Sequence, residues 1–188
     1  DLGAARALGA RAQGKAKKVA LTVDADDATF AAIIEALNPD LLQLHGKESP
    51  ERLTALRKRF GLPLMKALPV ETATDLQAAA AYRGVADWLL FDARAPKDAT
   101  RPGGLGRPFD WTLLKALDPG LPFMLSAGLE PGNVGRALSI ARAPAVDVSS
   151  GVESVPGVKD PSRIRAFVHA VREADAAQAT PKAASVRL

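Results

Sequence analysis

Side chains able to do acid–base work gather where short apolar runs end. Gln43 and His45 close the run at 41–44, Asp92 follows 88–91, and Ser126 follows 123–125. Asp147, Ser149 and Ser150 sit within and just beyond a run at 146–148. A carboxylic acid and an imidazole can move protons on a bound molecule, while hydroxyls and amides hold it in place. Two turns offer a second chemistry: Ser126-Ala127-Gly128-Leu129 and Ser149-Ser150-Gly151-Val152. Backbone N–H groups at such glycine turns bind anions, phosphate above all. Taken singly, each feature has an ordinary structural reading. Asp92 could cap a turn, Gln43 or His45 could bond to neighbours, and a glycine could simply shape a βα turn. Their concurrence at the ends of successive runs points to a site. Lys66, inside an apolar run, reads as one half of an ion pair in the interior rather than as a Schiff-base lysine.

The elements that would position these residues follow from spacing. Apolar runs begin at residues 19, 41, 64, 88, 123 and 146. Between them lie stretches with helical period, such as Phe30, Ile33, Ile34 and Leu37, then Val134, Ala137, Leu138 and Ala141, then Ile164, Phe167, Val168 and Val171. Ser49-Pro50 and Asp160-Pro161 each place a capping side chain before a proline at the first helical position. Thr72 with Asp75 resembles a capping box, and Gly61 with Pro63 supplies a stop. Residues 1–13 read weakly as a helix.

Strands alternating with helices predict an α/β fold with a parallel sheet. The spacing fits a (β/α)8 TIM barrel with six of eight strands visible, the chain opening on a helix. The absent β-α-β unit would take on the order of 40–60 residues. An open, doubly wound six-stranded sheet is the alternative, and the lack of Gly-x-Gly-x-x-Gly after the first strand counts against it. We expect a partial barrel over 1–173 and a disordered tail over 174–188. Period two puts Gln43 with His45, and Asp147 with Ser149, on the face toward the barrel axis. The long glycine-rich stretch from Arg94 to Pro108 is expected to be a lid or binding loop.

Composition narrows the functions. The 188 residues are 47% hydrophobic and 24% charged, enough for a core in one domain. There is no cysteine, hence no disulfide, thiolate metal site or thiol nucleophile. His45 and His169 are the only histidines, too few for a histidine metal site. The sequence pI of about 9.6 comes from residues 1–18, which carry five basic side chains against Asp1. The remainder balances, and aromatics are only 5% of the chain, so a nucleic-acid partner is not expected. Residues 119–129, the longest charge-free apolar-rich stretch, are too short and too rich in Pro and Gly to span a membrane. The cytoplasm is the expected compartment.

Motifs carry the reading further. Leu42-Gln43-Leu44-His45-Gly46 with Glu48, Leu90-Phe91-Asp92, and Pro102-Gly103-Gly104-Leu105-Gly106 with Phe109-Asp110-Trp111 occur in order. Leu125-Ser126-Ala127-Gly128-Leu129 with Pro131 and Asn133-Val134 follows, then Val146-Asp147-Val148-Ser149-Ser150-Gly151-Val152-Glu153 and Pro156-Gly157-Val158-Lys159-Asp160. Over about residues 19–172 the chain resembles phosphoribosylanthranilate isomerase, a barrel of tryptophan biosynthesis. The resemblance implies an Amadori rearrangement of N-(5-phosphoribosyl)anthranilate to 1-(2-carboxyphenylamino)-1-deoxyribulose 5-phosphate, with no cofactor and no metal. It makes Asp92 the general acid and places Gln43, His45 and Asp147 at the substrate. It gives Gly128, Leu129, Ser149, Ser150 and Gly151 to the phosphate. The expected partner is thus a small phosphorylated substrate; oligomeric state is not legible.

Three departures from the family pattern stand out. The family's base is a cysteine in a Lys-x-Cys-Gly motif of the first strand, and this chain has neither. A substrate-binding arginine after the second strand is missing with it. Ala127 stands where the family usually has the first of two glycines. The chain alone is therefore expected to be inactive. The alternative is a catalytically silent phosphate-binding barrel or a scaffold domain.

Overall fold

The computed structural model describes residues 1–94, 108–115, 117–118 and 120–179. Six apolar runs become six strands: β1 (Val19–Thr22), β2 (Leu41–Leu44), β3 (Leu64–Val70), β4 (Trp88–Ala93), β5 (Phe123–Leu125) and β6 (Ala145–Val146). They form one sheet in the order β1-β2-β3-β4-β5-β6, every pair parallel. Sequential parallel pairing with helical crossovers is the pattern of a barrel wall, here six strands of one.

Local chemistry sets the helix limits. In α1 (Leu2–Ala12) the Asp1 carboxylate accepts from the Ala4 N–H. α2 (Asp27–Leu37) is capped by Asp26, which accepts from the Thr29 N–H. α3 (Pro50–Phe60) starts at Ser49-Pro50 as expected and ends at Gly61, whose φ of +67° closes the C-cap without a Cβ penalty. Thr72 and Asp75 do cap a helix, but a run of 3₁₀ turns over Ala73–Tyr82 rather than an α-helix. α4 (Val134–Ala141) and α5 (Pro161–Ala179) complete the set, α5 with Asp160 accepting from Ser162 and Arg163.

The core lies mostly on the outer face of the sheet. Leu42, Leu44 and Leu64 meet Phe30, Leu53 and Leu56 of the helices. Leu68, Leu89, Phe91, Phe123 and Leu125 meet Val134, Leu138 and Phe167. A smaller inner cluster of Met65, Ala67 and Leu90, with Leu41, Trp88 and Met124, fills the base of the concave side. The inner face turns polar toward the strand ends.

Some expectations shift. β6 stops at Val146, two residues before the apolar run does. Its ladder survives one step further, the Asp147 N–H donating to the Leu125 carbonyl at 2.9 Å. The chain then turns through a 3₁₀ turn at Ser150–Val152 into a small antiparallel hairpin, β7 (Glu153–Val155) and β8 (Val158–Lys159), that spacing did not reveal. α5 continues to Ala179, and the remainder of the expected tail lies outside the described residues. So does most of the expected lid, residues 95–107. No helix among the described residues is long and apolar enough to cross a membrane.

Candidate active site

The expected cluster assembles where β2, β4, β5 and β6 end. Gln43 is buried on the inner face of β2, and its Nε2 lies 3.4 Å from His45 Nδ1. An amide donor on Nδ1 leaves Nε2 to carry the proton of the neutral ring. That nitrogen faces Asp92, 3.5 Å from Oδ2. Asp92 is 5% exposed, and its Oδ1 accepts the Ala93 N–H at 2.9 Å. Across the cleft, Ser126 Oγ donates to Asp147 Oδ2 at 3.1 Å. The ladder fixes Ser126 in turn, its N–H donating to the Phe91 carbonyl at 2.9 Å.

Asp147 holds its proton more tightly than an ordinary aspartate. Loss of water is the largest cause; the Ser126 hydroxyl opposes it, the Asp92 charge adds to it, and His45 and Lys159 oppose it. Two carboxyl groups around one imidazole make a place where one proton can be handed to a bound molecule while a second carboxyl accepts its hydroxyls.

The two glycine turns meet directly. Ala127 and Gly128 both adopt positive φ, +77° and +64°. Asn133 pins the first turn, donating from Nδ2 to the Gly128 carbonyl at 2.8 Å and accepting the Glu130 N–H at 2.9 Å. Among the described residues, no acceptor claims the N–H of Gly128 or Leu129. Ser150 and Gly151 open a 3₁₀ turn, whose first N–H groups have no partner within the helix. A Cβ on Gly151 would lie 1.8 Å from the Leu129 carbonyl oxygen, so the turns touch backbone to backbone. Together they present a set of main-chain donors suited to an anion.

Lys66 forms the expected ion pair, with Glu48 at 3.0 Å. Its face is not the interior one. Lys66 alternates with Met65 and Ala67 of the inner cluster and shares parity with Leu64 and Leu68, so it lies on the helix side of the sheet. Three roles were not anticipated: Ser126 as the partner of Asp147, Asn133 as the brace of Gly128, and Lys159 as a cation beside Ser149. The Lys159 ammonium reaches the Ser149 carbonyl at 2.8 Å and its Oγ at 3.2 Å. Only their places in the motifs could have marked them. Among the described residues, no group of three His, Asp or Glu is placed to hold a metal ion.

Comparison with known proteins converges on one family. A sequence profile described as N-(5'phosphoribosyl)anthranilate (PRA) isomerase matches residues 4–170. An N-(5'-phosphoribosyl)anthranilate isomerase of Nitrobacter hamburgensis is 63% identical over 175 residues, covering 93% of this chain and 78% of that protein. One from Rhodopseudomonas palustris is 63% identical over 172 residues, 92% of this chain and 79% of its own length. The crystal structure of phosphoribosyl anthranilate isomerase from Thermotoga maritima superposes with a TM-score of 0.81 at 30% identity, covering 92% of this chain and 81% of that one. Another, in complex with reduced 1-(o-carboxyphenylamino)-1-deoxyribulose 5-phosphate, superposes with a TM-score of 0.78 at 28% identity, covering 92% and 80%.

Proposed function

Since this chain belongs to the N-(5'-phosphoribosyl)anthranilate isomerase family, we propose that its strand-end cluster carries that family's chemistry residue by residue. The chain is an isomerase of tryptophan biosynthesis, and its partner is a small phosphorylated substrate. Asp92 is the general acid. It gives a proton to the furanose ring oxygen; the C1–O bond breaks and the amine lone pair closes a C=N bond. A base, for which no residue of this chain is assigned, takes the C2 proton to give an enolamine, which tautomerises to the aminoketose. His45, oriented by Gln43, and Asp147 contact the anthranilate and sugar hydroxyls. Gly128, Leu129, Ser149, Ser150 and Gly151 receive the phosphate. We place the enzyme in the cytoplasm, with no nucleic-acid partner.

One observation carries the reading: an imidazole 3.5 Å from a buried carboxyl stands at the same strand ends as two interlocked glycine turns. The test uses the full gene product and two readouts, turnover of N-(5-phosphoribosyl)anthranilate and calorimetric affinity for the reduced product analogue. Asp92→Asn keeps the shape but cannot give up the proton. It should lower kcat by roughly 10²–10⁴-fold, the worth of a general acid, and leave analogue affinity nearly unchanged. Normal kcat with a lowered melting temperature would make Asp92 a structural residue.

A further inference from the structure

The mechanism uses neither Lys66 nor Glu48, yet each side chain is only 2% exposed. The ammonium has three acceptors: the Leu44 carbonyl at 3.1 Å, the Gly46 carbonyl at 2.7 Å and Glu48 Oε2 at 3.0 Å. The two carbonyls flank His45. The register explains why a side chain is needed there. Leu44 with Lys66 is the last registered pair of β2 and β3, and β3 then runs on with β4 alone. Leu44 still belongs to that ladder, but Pro69, the next β3 residue with the parity that faces β2, has no N–H to offer the Gly46 carbonyl, which needs another donor. A leucine at 66 would pack on the outer face as Leu64 and Leu68 do, but would leave the Gly46 carbonyl without that donor. Glu48 holds the opposite polarity of the same loop, accepting the Gly46 N–H at 3.0 Å and the Asp24 N–H at 2.9 Å. The Tyr82 hydroxyl fastens the Glu48 carbonyl at 3.0 Å.

We propose that Lys66 is a positioning residue whose ammonium continues the β2–β3 ladder past its last backbone pair and holds residues 44–46 in place, so that His45 faces Asp92. Glu48 neutralises the buried cation and fixes the far end of the loop. The proposal rests on His45 being a substrate contact. It predicts that losing the clamp loosens the imidazole before it unfolds the barrel.

Nitrogen-resolved NMR reads the imidazole directly and without substrate. In the unmodified chain the neutral form of His45 should be a single tautomer with the proton on Nε2, and Lys66 Nζ should show through-bond coupling to the Leu44 and Gly46 carbonyl carbons. In Lys66→Met/Glu48→Gln, which removes both charges together, the ring should pass to an exchanging mixture. Analogue affinity should fall roughly tenfold to a hundredfold, as misplaced contacts do. If that variant does not fold, Lys66→Arg, which keeps the charge but moves the donors, is held to the same criteria. Absent couplings in the unmodified chain would overturn the proposal. So would a folded variant with an unchanged His45 spectrum and unchanged affinity, whatever its melting temperature. Failure of the unmodified chain to bind the analogue would instead count against the functional reading, and the ring spectrum would still decide the clamp.

Discussion

At the scale of single residues, Asp147 shows a site working against the stability of its own fold. Burial raises its proton affinity more than Ser126, His45 and Lys159 lower it. The folded chain therefore binds that proton more tightly than the unfolded chain. The favourable contribution is full below the ordinary aspartate value of 3.8 and is lost as pH rises through the raised folded value. Above that range the ionised group costs stability, a cost that the proposed substrate contact would explain. Asp147→Asn keeps an acceptor for the Ser126 hydroxyl and removes the charge. It should melt higher than the unmodified chain near neutrality, with the gain shrinking as the solution is acidified toward the ordinary carboxylate range. Its affinity for the reduced product analogue should fall. Melting curves across that pH series, with calorimetry on both proteins, check the two halves together. A gain that does not depend on pH would rule out ionisation as its cause.

Among the elements, the hairpin after β6 is the one whose purpose is least obvious from its size. Gly157, at φ +83°, turns the chain, and its N–H donates to Glu153 Oε2 at 3.1 Å. The return strand brings Lys159 back to Ser149 and to Glu153 Oε1 at 2.8 Å. The hairpin thus delivers a cation to the root of the second glycine turn. Lys159→Met should weaken analogue binding about fivefold, equivalent to about 1 kcal/mol for a half-exposed charge contact, with little change in melting temperature. Calorimetry decides it; equal affinity would leave the hairpin a structural appendage. Spacing could not have disclosed this element. Strands of two or three residues carry no alternation to read, and β7 and β8 are exposed along most of their length. The six sheet strands were legible because each is a short apolar run between helical stretches. His45, Asp92 and Asp147 were legible because a polar residue ending such a run is conspicuous. Glu48 stood out only as a motif residue and its role was not legible, since it lies four residues past β2 in a loop and its partners come from the segment after β1, from β3 and from the 3₁₀ run. Lys66 was assigned to the wrong face, although its parity with Leu64 and Leu68 was available in the sequence.

The molecule as a whole has an uneven sheet. Among the described residues β1 pairs only with β2. On the inner face of the sheet Val19, Leu21 and Val23 are 43%, 56% and 47% exposed, whereas Ala20 and Thr22 between them are buried. An apolar edge strand with free backbone donors and acceptors recruits another strand. The 188-residue polypeptide by itself should therefore associate as its concentration rises, and Leu21→Lys should suppress the association. Sedimentation velocity over a dilution series measures both. A single monomeric species at every concentration would mean the exposed face is tolerated.

The contact of Gly151 with the Leu129 carbonyl has a consequence for how such a protein can change over generations. Any side chain at 151 strikes main chain, so a substitution there injures the folding of two turns before it can adjust the hold on an anion. Gly151→Asp, which charge repulsion alone would make a test of phosphate affinity, is for that reason a test of folding. Affinity is free to drift only at neighbours whose side chains have room. Ser149 is exposed and has that room, whereas Ala127 is buried and already carries a methyl group at positive φ. The pair of turns thus divides into positions that selection can only keep and one that it can tune.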